Sequence, residues 1–191
     1  LLSIFAGSRI SEITVLMPIL LNFIKLMNKK YNDITFVFHA TKNHNELILS
    51  YIKNTGLNNC EVISDDKIKA HLLKKSIFAV AKSGTVSLEI SNAQIPSIIL
   101  YKMNFINFLI IKMLIKIKYA NIINIAAKEE VIPELLQSNC NPKNIYKVVS
   151  DFLDTPSKAQ EQIEKTQAVL NKLKTEKSSS ESACKALNKL L

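Results

Sequence analysis

Apolar residues come along this chain in two alternating kinds of run. Short blocks rich in β-branched and aromatic residues, at 1–6, 34–38, 60–63, 77–81 and 97–101, are separated by longer stretches at about 10–30, 45–54, 66–75 and 86–92. In the longer stretches apolar positions recur every three or four residues. The blocks predict strands of the buried type and the longer stretches predict amphipathic helices. Strand alternating with helix gives the fold class: α/β, a Rossmann-like parallel sheet flanked by helices. Beyond an apolar stretch at 103–119, the pattern predicts a last strand at 120–125 and helices at 130–137 and 143–153. Pro156 breaks the pattern, and a polar helix at 158–174 leads into Lys-Ser-Ser-Ser-Glu and a last short helix. The expected division is a Rossmann-like domain over 1–155 and a helical tail over 156–191, with no repeat and no long linker.

Composition narrows the class. With 191 residues, 48% of them hydrophobic, the chain can bury one core of ordinary size. Cys60, Cys140 and Cys184 are odd in number and far apart, which excludes a disulfide framework or a thiolate zinc site and fits a reducing compartment. The chain starts inside an apolar run with no basic segment before it, so no signal peptide is expected and it reads as a piece of something longer. No stretch of about 20 residues is free of charge, which argues against a spanning helix. A net charge of +9 points to acidic partners: nucleotide phosphates, anionic lipid or nucleic acid. Nucleic acid is disfavoured, because there is no tryptophan, a single arginine and no glycine-flanked aromatic run.

Against 24 lysines stands that one arginine, Arg9, and there are only three glycines, Gly7, Gly56 and Gly84. Two of the glycines mark strand-to-helix loops. Gly7-Ser8-Arg9 falls where the first strand gives way to the first helix; the glycine admits close backbone approach, the helix start offers N–H groups, and the guanidinium matches phosphate as a fork. Ser83-Gly84-Thr85 occupies the same kind of loop, and Glu89, one turn further on, could accept from sugar hydroxyls. Read alone, each loop also fits an ordinary turn with a surface arginine, or an exposed helix glutamate. As a pair on one parallel sheet they imply a nucleotide or nucleotide-sugar site, and neither is a P-loop or a G-x-G-x-x-G loop. His39, His44 and His71 have no metal-ligand partners and read as solvated or satisfied.

Gly7-Ser8-Arg9 with Glu12-Ile13, Ser83-Gly84-Thr85 with Leu88-Glu89, Pro96, Tyr101-Lys102, Asn124 and Pro133-Glu134-Leu135-Leu136-Gln137 together resemble lipid-A-disaccharide synthase, up to about Leu153. The likeness is to the carboxyl-terminal, donor-binding half of a two-domain GT-B glycosyltransferase. It implies a UDP-diacylglucosamine donor, a lipid X acceptor and an inverted β-1′,6-linked disaccharide with release of UDP. Arg9 and the Ser83–Thr85 loop would hold the diphosphate, Glu89 the ribose, and Asn124 would lie beside the donor. The catalytic base would belong to the acceptor half preceding Leu1, so no residue here is nominated for it. No cofactor is implied, and without an Asp-x-Asp motif leaving-group stabilisation is expected to be metal-independent. The chain departs from the family at Ala6, where proline is usual, and at Ala127-Lys128, where Gly-Arg is common.

The stretch 101–119 carries Lys102, Lys112, Lys116 and Lys118 and no acid, and an apolar face can form from Phe105, Phe108, Leu109 and Ile115. It fits either a helix facing an anionic membrane, with Phe105, Phe108, Lys112 and Lys116 toward the lipid, or a core or dimer helix with snorkelling lysines. With a lipid-handling family, the expectation is a cytoplasmic protein peripheral on the inner membrane, with a homodimer through the tail left open. Two other readings remain: a non-catalytic remnant or membrane-associated module that keeps a UDP pocket, and another GT-B transferase or an epimerase.

Overall fold

In the computed structural model, which describes residues 1–103, 118–174 and 184, six parallel strands form one sheet. They are β1 (Leu2–Phe5), β2 (Phe36–His39), β3 (Cys60–Ile63), β4 (Phe78–Lys82), β5 (Ser97–Tyr101) and β6 (Glu134–Leu136), in the order β3-β2-β1-β4-β5-β6. The helices are α1 (Ile10–Met27), α2 (Asn45–Lys53), α3 (Asp66–Lys74), α4 (Val86–Asn92), α5 (Ile122–Ala127), α6 (Pro142–Asp154) and α7 (Pro156–Leu173). The fold is therefore the α/β, Rossmann-like arrangement that the alternating runs predict.

Side-chain alternation along the inner strands sorts the core into two layers. Leu2 and Ile4, Phe36 and Phe38, Phe78 and Val80, and Ile98 and Leu100 face one way, against the buried face of α1 and against Ile145 and Val149 of α6. On the other face, Ala79, Ala81 and Ile99 pack with Ile90, Ile123 and Val169 from α4, α5 and α7. The small alanine side chains leave these helices room against the sheet. The apolar length of α1, with a mean hydropathy of 1.7, is accounted for by this packing: Ile13, Leu16, Met17, Leu20, Phe23 and Ile24 are all buried. Gln162 of α7 clamps the start of β5, accepting from Ser97 N at 2.6 Å and donating to Ser97 O at 3.0 Å.

Two expectations are corrected. Residues 120–125 are not a strand: Asn121 Oδ1 accepts from Ile123 N at 2.7 Å and caps α5 instead. Residues 130–137 are not a helix, because β6 fills the open edge of β5 with Ile99 opposite Glu134 and Leu100 opposite Leu135. Pro133 at the strand's start is compatible with that edge position. The third block, Cys60–Ile63, is an edge strand that is only half-buried, with Glu61 exposed. The membrane-facing residues proposed from the sequence, Phe105, Phe108, Lys112 and Lys116, lie outside the described residues.

Candidate functional site

The strand order reverses between β1 and β4, and the loops that leave these two strands diverge to open a cleft of about 890 Å³. In open parallel sheets this switch point, at the carboxyl ends of the strands, is where ligands bind. Gly7, Ser8, Arg9, Ser83, Gly84, Thr85 and Glu89 all line it. Seven of the eight residues expected to bind the nucleotide are thus brought together.

Gly7 is required by geometry. Its φ is +113°, and a Cβ there would stand 2.6 Å from Glu12 Oε2 and 2.8 Å from Glu12 Cβ. Around Gly84 a Cβ would meet nothing within 4 Å, and its φ is not positive. The protein's own packing therefore does not demand glycine at 84, and the space beside it is open to the cleft.

Glu12 is the organising charge at the floor of the first loop. Its carboxylate accepts from Ser8 N at 3.1 Å, pairs with Lys82 Nζ at 2.8 Å and meets Arg9 Nη1 at 3.5 Å. Burial pushes its pKa up, but the hydrogen bond and charge of Lys82, the Ser8 N–H and the Arg9 charge outweigh burial and hold it below the ordinary value. Lys82 also lies 5.6 Å over the Tyr101 ring. Arg9 is 78% exposed at the rim, whereas Lys82 is 19% exposed and held against Glu12. The α1 amino terminus carries no side-chain cap, unlike α3, α5 and α6, which Asp65, Asn121 and Asn141 cap. A guanidinium, an ammonium and the Ser8 N–H, next to an uncapped helix start, thus converge on one carboxylate, which suits the floor of the cleft to an anion.

Ser83 is tied to the neighbouring loop: its Oγ donates to Ala120 O at 2.8 Å, and Ala120 N in turn donates to Glu134 Oε2 at 2.7 Å. Asn124 is not among the residues lining the cleft. It is fully buried, with Oδ1 accepting from Val131 N and Ile132 N, both at 2.9 Å, and Nδ2 donating to Ile132 O at 2.7 Å and Glu134 Oε1 at 2.8 Å. It holds the loop that leads into β6. Lys128, in the pair where the sequence departs from the family, ends α5 in the left-handed region with φ +61°.

Several cleft residues were given no role from the sequence, among them Lys82, His39 and Glu12. Lys82 and His39 each end an otherwise apolar buried strand, and a polar residue at the carboxyl end of such a strand is the signal that could have found them. Glu12 had a signal too, as the third residue of α1, where a carboxylate reaches back to a free N–H. His39 is buried, stacks on Phe5 with ring centroids 4.3 Å apart, and lines the cleft.

Fold and cleft together define an α/β, Rossmann-like domain with a cleft at the switch point of its parallel sheet. The chain matches the family described as Lipid-A-disaccharide synthetase over residues 1–187, and it belongs to that family. The lipid-A-disaccharide synthase of Rickettsia prowazekii (strain Madrid E) is 37% identical over 174 residues, covering 91% of this chain and 45% of the relative. The chain thus spans under half the length of that relative. Among solved structures, a UDP-GlcNAc 2-epimerase from Neisseria meningitidis bound to UDP-GlcNAc superposes with a TM-score of 0.60 at 16% identity, covering 90% of this chain and 44% of that one. The carboxyl-terminal domain of a group 1 family glycosyl transferase from Francisella tularensis gives 0.58 at 14% identity, covering 90% of this chain and 84% of that one. These two likenesses are of fold.

Proposed function

We propose that this chain is the donor-binding half of a glycosyltransferase of lipid A biosynthesis. In this reading it takes UDP-diacylglucosamine and passes the diacylglucosamine to lipid X, forming the β-1′,6-linked disaccharide phosphate and releasing UDP. The observation that carries the reading is the convergence of Arg9, Lys82 and Ser8 N–H on one carboxylate at the switch point, in a chain of this family. The diphosphate would take over these donors, with Gly84 leaving it room. Glu89, across the cleft on α4, would accept from the ribose hydroxyls. Asn124 would act from below, by fixing the loop that carries Glu134 and thereby the Ala120 carbonyl that holds Ser83.

In the transfer, the acceptor hydroxyl oxygen attacks the anomeric carbon as the bond from that carbon to the diphosphate breaks. The electron pair leaves with UDP, and the hydroxyl proton goes to a base outside this chain. The contribution made here is to stabilise the charge growing on the departing diphosphate, using Lys82 and the Ser8 N–H from the floor and Arg9 from the rim. An acylated donor and acceptor place the work at the inner membrane's cytoplasmic surface, where a basic chain is favoured by anionic lipid. Calorimetric titration with UDP, with and without magnesium, tests the reading. Binding that is independent of magnesium and lost in Arg9→Ala with Lys82→Met supports it; a folded chain that does not bind UDP refutes it.

A further inference from the structure

The wall of the cleft beside β2 holds a chain of three contacts, and only one arrangement of protons makes all three of them hydrogen bonds at once. Ser76 Oγ donates to Leu72 O at 3.0 Å, which uses its only proton. The 2.7 Å contact between Ser76 and Ser3 must then run from Ser3 Oγ to Ser76 Oγ, which uses the Ser3 proton. The remaining contact, 2.8 Å between Ser3 Oγ and His39 Nε2, therefore requires the imidazole to donate. A neutral His39 protonated at Nε2 has a bare lone pair on Nδ1. Burial, with the charge of Lys69 adding to it, brings the His39 pKa down to about 4, so the ring is neutral at pH 7.

That Nδ1 is buried with no hydrogen-bond partner among the described residues, and the ring, 6% exposed and stacked on Phe5, lines the cleft. Its polar neighbours are engaged elsewhere. Thr41 Oγ1 pairs with His44 Nδ1 at 2.8 Å, and Lys69 Nζ lies 2.6 Å from Asp66 Oδ1 and 3.4 Å from Ala40 O. A buried acceptor without a donor is uncommon enough to need an explanation. Phosphate oxygens cannot supply one, since an ionised diphosphate offers only lone pairs. On a uridine nucleotide the only donors are the imide N3–H and the ribose hydroxyls.

We propose that His39 reads the nucleoside: its Nδ1 accepts a hydrogen bond from an N–H or O–H of the uridine half of the donor. Ser3 and Ser76 are the positioning residues that hold it in the accepting tautomer. The proposal rests on the donor-binding reading above and divides the cleft in two. The Glu12 end takes the diphosphate, and the His39 wall discriminates what is attached to it.

Nitrogen-15 NMR of the histidine rings in the whole chain tests this directly. Free protein at pH 7.5 should show His39 protonated at Nε2 and bare at Nδ1, and saturating UDP should move the Nδ1 resonance upfield, the signature of accepting a hydrogen bond. The movement should be lost with either N3-methyl-UDP or a deoxyribose analogue, which identifies the donor. His39→Phe, which keeps a ring against Phe5, should weaken UDP about 3- to 10-fold while leaving inorganic pyrophosphate affinity unchanged. A free protein protonated at Nδ1, or UDP bound with Nδ1 unmoved, overturns the role of His39 and leaves the donor-binding reading standing. Equal losses for UDP and pyrophosphate make the residue merely structural and also overturn it. If wild type binds no UDP at all, both readings fall.

Discussion

Lys82→Met puts the anion-binding end of the cleft to a quantitative test. Two cations, Arg9 and Lys82, face one carboxylate, Glu12, so the floor carries one net positive charge, and removing Lys82 takes it to zero. Lys82 Nζ lies 2.8 Å from Glu12 Oε1, and a diphosphate drawn to the same donors would come within about 5 Å of that nitrogen. At an effective dielectric constant near 20, a unit charge at about 5 Å is worth about 3 kcal/mol. After salt screening we expect a loss of about 2–3 kcal/mol, or roughly 30- to 150-fold in Kd for UDP. Uridine, without phosphates, should bind both proteins alike. The sign of the effect is checked by a second change: adding Glu12→Gln to Lys82→Met restores the net positive charge through Arg9, so the double variant should regain most of the lost affinity. Calorimetry at two salt concentrations, with circular dichroism to confirm the fold, makes the measurement. A single variant within threefold of wild type, or a double variant that binds more weakly than the single, would refute the charge argument.

The two loop glycines should separate stability from binding. Gly7→Ala, at φ +113° with its Cβ against Glu12, should cost about 1–3 kcal/mol in urea unfolding and weaken UDP as well. Gly84→Ala, with nothing near its Cβ, should leave stability within about 0.5 kcal/mol yet lower UDP affinity by calorimetry at least about tenfold, by occupying the ligand's space. Gln162→Leu strips both partners from the Ser97 backbone and should lower unfolding free energy by about 2–4 kcal/mol without changing UDP affinity. His39 gives a pH signature. Its pKa is about 4 when folded against about 6.5 unfolded, so the unfolded chain binds the proton first. The stability it contributes is present above about pH 6.5 and is lost as the pH falls through the folded value. Between pH 7.5 and 5 wild type should lose about 2 kcal/mol that His39→Phe does not.

The five strands through Tyr101 were legible because a strand covered on both faces reads as an uninterrupted apolar block, and four of the five are buried in that way. Only their ends shift by a residue or two. Ile77, for example, precedes β4 and is 49% exposed. Between residues 120 and 137 the pattern misled, whereas the helices expected at 143–153 and 158–174 are present as α6 and α7. Isoleucines 122, 123 and 125 have strand-like composition, but the Asn121 cap and packing on α7 make them a helix, while Glu134–Leu136 becomes a strand because the edge of β5 needs a partner. In the cleft, the loops around Gly7 and Gly84 stood out because glycine and arginine are scarce in a lysine- and isoleucine-rich chain. The Glu12–Lys82 pair was hidden, since its members lie 70 positions apart and meet only when β1 and β4 become neighbours. The relay from Leu72 through Ser76 and Ser3 to His39 was hidden for the same reason, as it joins the α3–β4 turn to two strands. Asn124 shows the converse: a motif residue can serve the fold of a loop with all its hydrogen-bonding capacity used internally.

The most direct test of the central claim is a structure of this chain with UDP bound. The nucleotide should lie in the cleft between β1 and β4, with diphosphate oxygens within hydrogen-bonding distance of Ser8 N–H and Lys82, Arg9 folded in from the rim, Gly84 against the phosphates and the ribose beside Glu89. UDP bound elsewhere on the chain, or lying in this cleft with its diphosphate turned away from Lys82 and Arg9, would contradict it.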